Sequence, residues 1–280
     1  MKNKNKLFTI LPLIFCLTLL ASCASKKTKD ISYLQTSKAL VESLPKLDVY
    51  QPRKAQKNPV VIFIHGGYWE AGNKDIYKFL GRNFAKKGIT TVIPSYTLSP
   101  NGNYQTMAEE VAAAIEWTHA NIADYNGDPE QIFLMGHSAG GHLIALVSTN
   151  PKYLANKEMI KGTILNDAAA LDMYSYLKEH PPTASHNYDV TWTKEEQNWK
   201  DASPIYFLSE NVPPFLIYVG TKTYPSIIAQ NKDFVQELNK YQPNVAINYL
   251  PKKHVPMMSQ YFFPWNKHYQ EIIDFIETNK

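Results

Sequence analysis

Cysteine is nearly missing from this chain. Its 280 residues hold two, Cys16 and Cys23. From residue 24 onward there is no thiol, so a disulfide, a cysteine nucleophile and a cysteine–zinc site are all excluded there. The sequence also lacks an H-E-x-x-H pair. Its one glycine-rich turn, Gly136-x-x-x-Gly140-Gly141, has Ser138 where a phosphate loop needs glycine or lysine. Neither a metal nor a cofactor is therefore expected. An excess of one charge is lacking too. Setting aside Lys2, Lys4 and Lys6 from the 29 basic residues leaves 26 against 25 acidic ones. A nearly neutral body offers no patch for DNA or RNA, and no nucleic-acid partner is expected. Internal repeats and long low-complexity stretches are absent as well.

What is present begins with a leader. Lys2, Lys4 and Lys6 precede Leu7 to Leu20, an apolar run of 14 residues broken only by threonine and proline. A bilayer span needs about 20 residues, so this length suits a secretory signal. Leu20-Ala21-Ser22-Cys23 follows and resembles a bacterial lipobox, in which the cysteine becomes the lipidated first residue. The expectation is a lipoprotein signal peptide over 1–22, lipidation at Cys23 and a polar linker over 23–33. The folded domain is then 34–280. Several acyl chains anchor stably where one is marginal. Lys26, Lys27 and Lys29 read as part of the tether. The protein is expected in the cell envelope, outside the cytoplasm, touching the membrane through its lipid alone. An ordinary signal peptide or an uncleaved anchor is the alternative.

After residue 58, strand and helix patterns alternate. Val60-Val61-Ile62-Phe63-Ile64 is a continuous apolar run, as in a strand buried on both faces. Further strands are expected over 89–94, 131–135, 161–165, 214–219 and 245–250. Helices are expected over 74–87, 104–121, from the Ser138 turn to Leu146, over 226–241 and over 269–278. Such alternation argues for an α/β fold with a mostly parallel sheet flanked by helices. Residues 171–203 depart from it, with Met173, Tyr174, Tyr176, Pro181, Pro182, Tyr188, Trp192 and Trp199. This stretch lies between two core strands and is too long for a simple connection. It reads as a lid-like cap or as an excursion with its own small core.

Two motifs carry chemistry. Gly136-His137-Ser138-Ala139-Gly140 is a G-x-S-x-G between a strand and a helix, the pattern of a nucleophile elbow. It lifts Ser138 above the sheet edge, and Gly136 and Gly140 remove the side chains that would crowd the turn. About 70 residues earlier, His65-Gly66-Gly67-Tyr68-Trp69 follows the first buried strand. Acyl transfer builds negative charge on a carbonyl oxygen, and fixed backbone N–H groups stabilise it. The candidate donors are Gly67, Tyr68 and Ala139. His65 reads as a residue that fixes its loop.

With these motifs in place, the chain resembles the α/β-hydrolase esterases that include hormone-sensitive-lipase-like carboxylesterases, bacterial feruloyl and acetyl esterases, and kynurenine formamidases. Leu47 to Pro52, Ser95 to Pro100 and Lys253-His254-Val255 carry the resemblance together with the two motifs. Tyr96-x-Leu98-x-Pro100 matches the group's Y-R-L-x-P, with Thr97 in place of arginine. The resemblance implies a serine hydrolase acting on a small-molecule ester.

The general base must follow the nucleophile and lie after the last strand, and His254 does both. His142, His180, His186 and His268 sit on a helix or in the cap region, with His142 a neighbour of Ser138 and no obvious base. The acid is less direct. The resemblance puts an aspartate after the strand ending at Val219, yet Gly220-Thr221-Lys222-Thr223 stands there, with Thr223 at the aspartate's place. Asp167, at the preceding strand's end, and Asp172 are the substitutes; either could instead cap a turn. Three functions follow: a carboxylesterase, an arylformamidase-like amidohydrolase suggested by H-G-G-Y-W, and a catalytically silent hydrolase-fold binding protein suggested by Thr223.

Overall fold

A single sheet runs through the described residues, which are 25–34, 44–54 and 56–280 of the computed structural model. In chain order its strands are β1 (Ser25–Ser32), β2 (Lys46–Pro52), β3 (Asn58–Ile64), β4 (Thr90–Pro94), β5 (Gly127–His137), β6 (Ile160–Asn166), β7 (Phe215–Gly220) and β8 (Ile247–Leu250). Their spatial order is β1-β2-β4-β3-β5-β6-β7-β8. β2 pairs antiparallel with both β1 and β4, and the other neighbours pair parallel. The fold is the expected α/β-hydrolase sheet with an antiparallel edge added.

Burial explains the run of strand signals. Val60 to Ile64 of β3 are fully buried, as are Ile132 to Met135 of β5, because helices cover both faces. On one face lie α1 (Lys78–Lys86), α8 (His254–Ser259) and α9 (His268–Thr278); on the other lie α2 (Tyr104–Asn121), α3 (Ala139–Thr149) and α7 (Pro225–Leu238). α2 starts at an asparagine cap, Asn103, whose side chain accepts from Thr106 N at 3.0 Å. Thr97, the departure from Y-R-L-x-P, gives its hydroxyl to Glu110 of α2 at 2.7 Å, which pins that loop to the helix.

The polar linker expected over 23–33 is corrected where it is described. Ser25–Ser32 is an edge strand, registered from Ser25 opposite Pro52 to Ser32 opposite Lys46. Three lysines, an aspartate, a threonine and two serines give this strand no apolar alternation, so periodicity misses it. Its backbone ladder and a buried carboxylate hold it instead. Asp48 of β2 is fully buried and lies 2.7 Å from Lys27 Nζ and 3.0 Å from Lys74 Nζ, and Lys74 also reaches Asp30 at 2.7 Å. Burial alone would lower the Lys74 pKa, but the Asp30 and Asp48 carboxylates raise it overall. The folded unit thus takes in Ser25 and does not wait until residue 34. The signal peptide and Cys23 lie outside the described residues.

Residues 171–203 are more regular than their composition suggests. They form α4 (Met173–Glu179), α5 (Tyr188–Thr191) and α6 (Glu196–Asp201). Trp192 is fully buried, with its ring centroid 4.7 Å from that of Trp69 and 5.3 Å from that of His142. The excursion therefore has its own aromatic core, and that core is fused to the loop after β3.

Candidate active site

β5 ends at His137 and α3 begins at Ala139, which leaves Ser138 alone in the turn. Its φ of 55° and ψ of −120° are sparsely populated for any residue with a side chain. The turn persists because its surroundings are close-packed. A Cβ on Gly140 would stand 2.1 Å from the carbonyl oxygen of Ile64, and one on Gly136 would stand 2.5 Å from that of Gly140. Both glycines therefore serve the role expected of them.

The structure brings His254 and Asp167 to this serine. His254 opens α8, and its Nε2 lies 2.8 Å from Ser138 Oγ. Its Nδ1 lies 2.5 Å from Asp167 Oδ2. Asp167 is the residue just past β6, fully buried, with a φ of 54°. Its other oxygen, Oδ1, accepts from Gly220 N at 2.8 Å. Thr223 completes the group: its hydroxyl donates to Asp167 Oδ2 at 2.5 Å and lies 3.2 Å from His254 Nδ1. Asp172 is not part of this arrangement. It caps α4, where its carboxylate accepts from Ser175 N at 3.0 Å.

Beside Ser138, the Gly67 turn presents its backbone. Gly67 has a φ of 132°, and its carbonyl accepts from Glu70 N at 3.1 Å and Ala71 N at 2.9 Å. A Cβ there would stand 2.1 Å from Ala71 O, so only glycine fits. Gly66 packs directly on the elbow, where a Cβ would fall 2.8 Å from His137 O. Among the described residues, no acceptor takes the N–H of Gly67, Tyr68 or Ala139. The Ala139 N–H also opens α3, where helix geometry leaves it without an internal partner.

Two cavities meet at the serine. One, of about 150 Å³, runs under the cap between Tyr68, Met173, Tyr176, Tyr188, Tyr224 and Gln230. The other, of about 320 Å³, is lined by Ile76, Tyr77, Val255, Met258 and Phe262. Ser138, His254 and Tyr68 border both. Tyr68 donates to the Tyr224 hydroxyl at 2.8 Å, and burial together with this bond pushes the Tyr68 phenol up to about 12.

Sequence reasoning missed how the cap is tied down. Glu70 directly follows H-G-G-Y-W. Its carboxylate meets His186 Nδ1 at 2.5 Å and accepts from Asn187 Nδ2 at 2.8 Å. The His186 ring stacks on Tyr68, with centroids 4.7 Å apart. These partners are more than 100 residues apart in the chain, so no local pattern announces them.

Three further buried histidines hold the surrounding loops. His65 donates from Nδ1 to Gly66 O at 2.9 Å, and burial lowers its pKa to about 4. His142 accepts from Trp69 Nε1 at 3.2 Å and donates to Ala202 O at 2.7 Å, and burial lowers its pKa to about 4 as well. His137, lowered to about 3 by burial and then by the adjacent His254 imidazole, donates to His254 O at 3.1 Å. His137, Asp167 and His254 hold possible ligand atoms within 4.8 Å of one another. Both oxygens of Asp167 and both ring nitrogens of His254 already take the hydrogen bonds described above.

Known proteins resemble this chain in sequence and in fold. Esterase LipC of Mycobacterium tuberculosis is 30% identical over 210 residues, which is 69% of this chain and 51% of that protein. Kynurenine formamidase of Salmo salar is 34% identical over 122 residues, 43% of this chain and 40% of that protein. The chain thus spans about half the length, or less, of these relatives. Among solved structures, esterase B from Lactobacillus rhamnosis inhibited by a tributyrin phosphonate superposes with a TM-score of 0.74. The two are 17% identical, over 99% of this chain and 96% of that one. A truncated carbohydrate esterase from gut microbiota gives a TM-score of 0.74 at 22% identity, over 92% of this chain and 97% of that one. These likenesses show the shared fold. The BD-FAE family model matches residues 47–238, a span that contains the Gly67 turn, Ser138, Asp167 and Thr223, and the chain belongs to the BD-FAE family.

Proposed function

We propose that this protein is a serine hydrolase that cleaves carboxylic esters through an acyl-enzyme. The observation that carries the reading is the unbroken line from Ser138 Oγ through the His254 ring to Asp167. With its proton on Nδ1, His254 donates to Asp167 and leaves Nε2 free to accept from Ser138. Ser138 attacks the ester carbonyl as Nε2 takes its proton. The N–H groups of Gly67, Tyr68 and Ala139 receive the negative charge on the carbonyl oxygen. The imidazolium, held by Asp167, then protonates the departing alcohol. Water repeats the sequence on the acyl-enzyme and restores Ser138. A panel of esters from acetyl to feruloyl tests this reading. Turnover of none of them by the wild type would sink it.

A second reading is favoured by the relatives named kynurenine formamidase: hydrolysis of an arylformamide by the same machinery. Comparing N-formylkynurenine with p-nitrophenyl acetate separates the two, and faster turnover of the first would overturn the ester preference. The carboxylate of Asp167 against His254 supports an active hydrolase over the catalytically silent reading that Thr223 suggests.

The lipobox supports attachment to the cell envelope through Cys23. No helix among the described residues is long and apolar enough to cross a membrane. Cys23→Ala should move the protein out of the membrane fraction; if it stays, the lipid anchor is wrong.

A further inference from the structure

The sheet has two ends, and their chemistry differs. Ser138 stands where the parallel strands finish. At the other end β2 finishes while β3 and β4 begin. Arg53 and Lys54 follow β2, Lys57 precedes β3, Lys86 and Lys87 precede β4, and Lys26 stands at the start of β1. All six are exposed. Among the described residues, no carboxylate lies within 4.0 Å of any of them. Lys87 is the one with an aromatic neighbour, its Nζ 5.0 Å from the Tyr269 ring centroid. Asp124, Asp128 and Glu130 lie farther along, near the start of β5, and Glu158 precedes β6.

Strand register fixes how far this cationic end is from the serine. Thr28 pairs with Val49, Val49 with Val92, Val92 with Ile62 and Ile62 with Leu134, which places Thr28 and Leu134 in one row. Two antiparallel steps make β1 run in the direction of β5. Ser138 is four residues beyond that row and Ser25 three residues before it, so they are separated by about 23 Å along the strands. Four strand spacings add about 19 Å sideways. Cys23 is two residues before Ser25, and the chain between them spans about 7 Å at most. The ion pairs of Lys27 with Asp48 and of Lys74 with Asp30 hold β1 in this position.

We propose that the end of the sheet bearing Arg53, Lys54, Lys57, Lys86 and Lys87 seats the protein on an anionic phospholipid surface, so that the Ser138 cavities open away from the bilayer. Charge complementarity and the entry of the chain at the same end both support it. Each basic residue near an anionic bilayer raises partitioning roughly fivefold. The enzyme then draws its ester from solution and not from the membrane beneath it. The inference extends the proposed envelope location but is tested without it.

The test uses the full chain carrying Cys16→Ala and Cys23→Ala, which removes lipid attachment from the outcome. Vesicles of phosphatidylcholine alone are compared with vesicles containing phosphatidylglycerol. The expected result is tighter binding to the anionic vesicles, weakened at least about tenfold by Lys54→Gln, Lys57→Gln, Lys86→Gln and Lys87→Gln together. Hydrolysis of a soluble ester should be unchanged in that variant. A fluorophore at Lys57→Cys should be quenched by brominated lipid, and one at Lys222→Cys, beside the active site, should not. Equal binding to both vesicles, no effect of the four substitutions, or stronger quenching at position 222 would overturn the proposal. Failure of the lipid anchor would show only in the separate fractionation of Cys23→Ala.

Discussion

Thr223 donates its hydroxyl to Oδ2 of Asp167, the same oxygen that faces His254 Nδ1. The residue that stands at the expected acid position thus buttresses the carboxylate that meets His254. Asp167 reaches the imidazole from the end of β6, and Thr223 reaches the same oxygen from the loop after β7. Gly220 N holds the second oxygen. The carboxylate is therefore fixed on both sides, while its charge comes from a neighbouring strand.

Asp167→Asn removes the negative charge that stabilises the imidazolium and favours the wrong tautomer. Turnover should fall at least roughly a hundredfold while the circular-dichroism spectrum is retained. Thr223→Val removes one hydrogen bond and should reduce turnover only about three- to tenfold. Thr223→Asp in the Asp167→Asn background should recover part of the loss, since position 223 already stands within reach of Nδ1. Steady-state kinetics on one soluble ester reads all three. An Asp167→Asn enzyme as fast as wild type would remove Asp167 from the relay.

Glu70 ties the cap to the Gly67 turn through His186 and Asn187. Glu70→Ala frees that end of the cap and loosens the stacking of His186 on Tyr68. KM should rise several-fold with a smaller change in kcat, because the cavity wall is disturbed and the relay is not. A variant with unchanged KM would mean that the Glu70 contacts do not hold the cavity wall in place.

The buried histidines make the fold sensitive to acid. His65 and His142 are lowered to about 4 and His137 to about 3, while an unfolded histidine titrates near 6.5. The unfolded chain therefore binds protons that the native state refuses. Stability is full above about pH 6.5 and is lost as pH falls from there toward 4, by up to roughly 3 kcal/mol per histidine. Urea midpoints should drop steadily between pH 7 and pH 5. His142→Gln should flatten that slope, and a slope that it leaves unchanged would remove His142 from the effect.

Residues whose roles are set locally were legible in the sequence. The Ser138 turn, its two glycines and the buried strands follow from steric demands that act over a few residues. His254 was legible from chain order. The carboxylate beside His254 was legible only as a choice between Asp167 and Asp172, because the contact joins residues 87 apart in the chain. β1 was illegible for a different reason. Its stability comes from charge pairing with Asp48, and a strand of lysines carries no apolar period. The Glu70 latch arises only when the cap folds back on the sheet, and the Tyr68–Tyr224 bond only when the loops after β3 and β7 meet, so no single segment encodes them.

The most direct measurement is covalent capture of Ser138. A fluorophosphonate probe should label the wild-type protein at one site, with the adduct on the peptide containing Ser138 by mass spectrometry. Ser138→Ala should abolish labelling, and His254→Ala should slow it strongly. An unlabelled wild-type protein, or a Ser138→Ala variant labelled as fast as wild type, would contradict the assignment of Ser138 as the nucleophile.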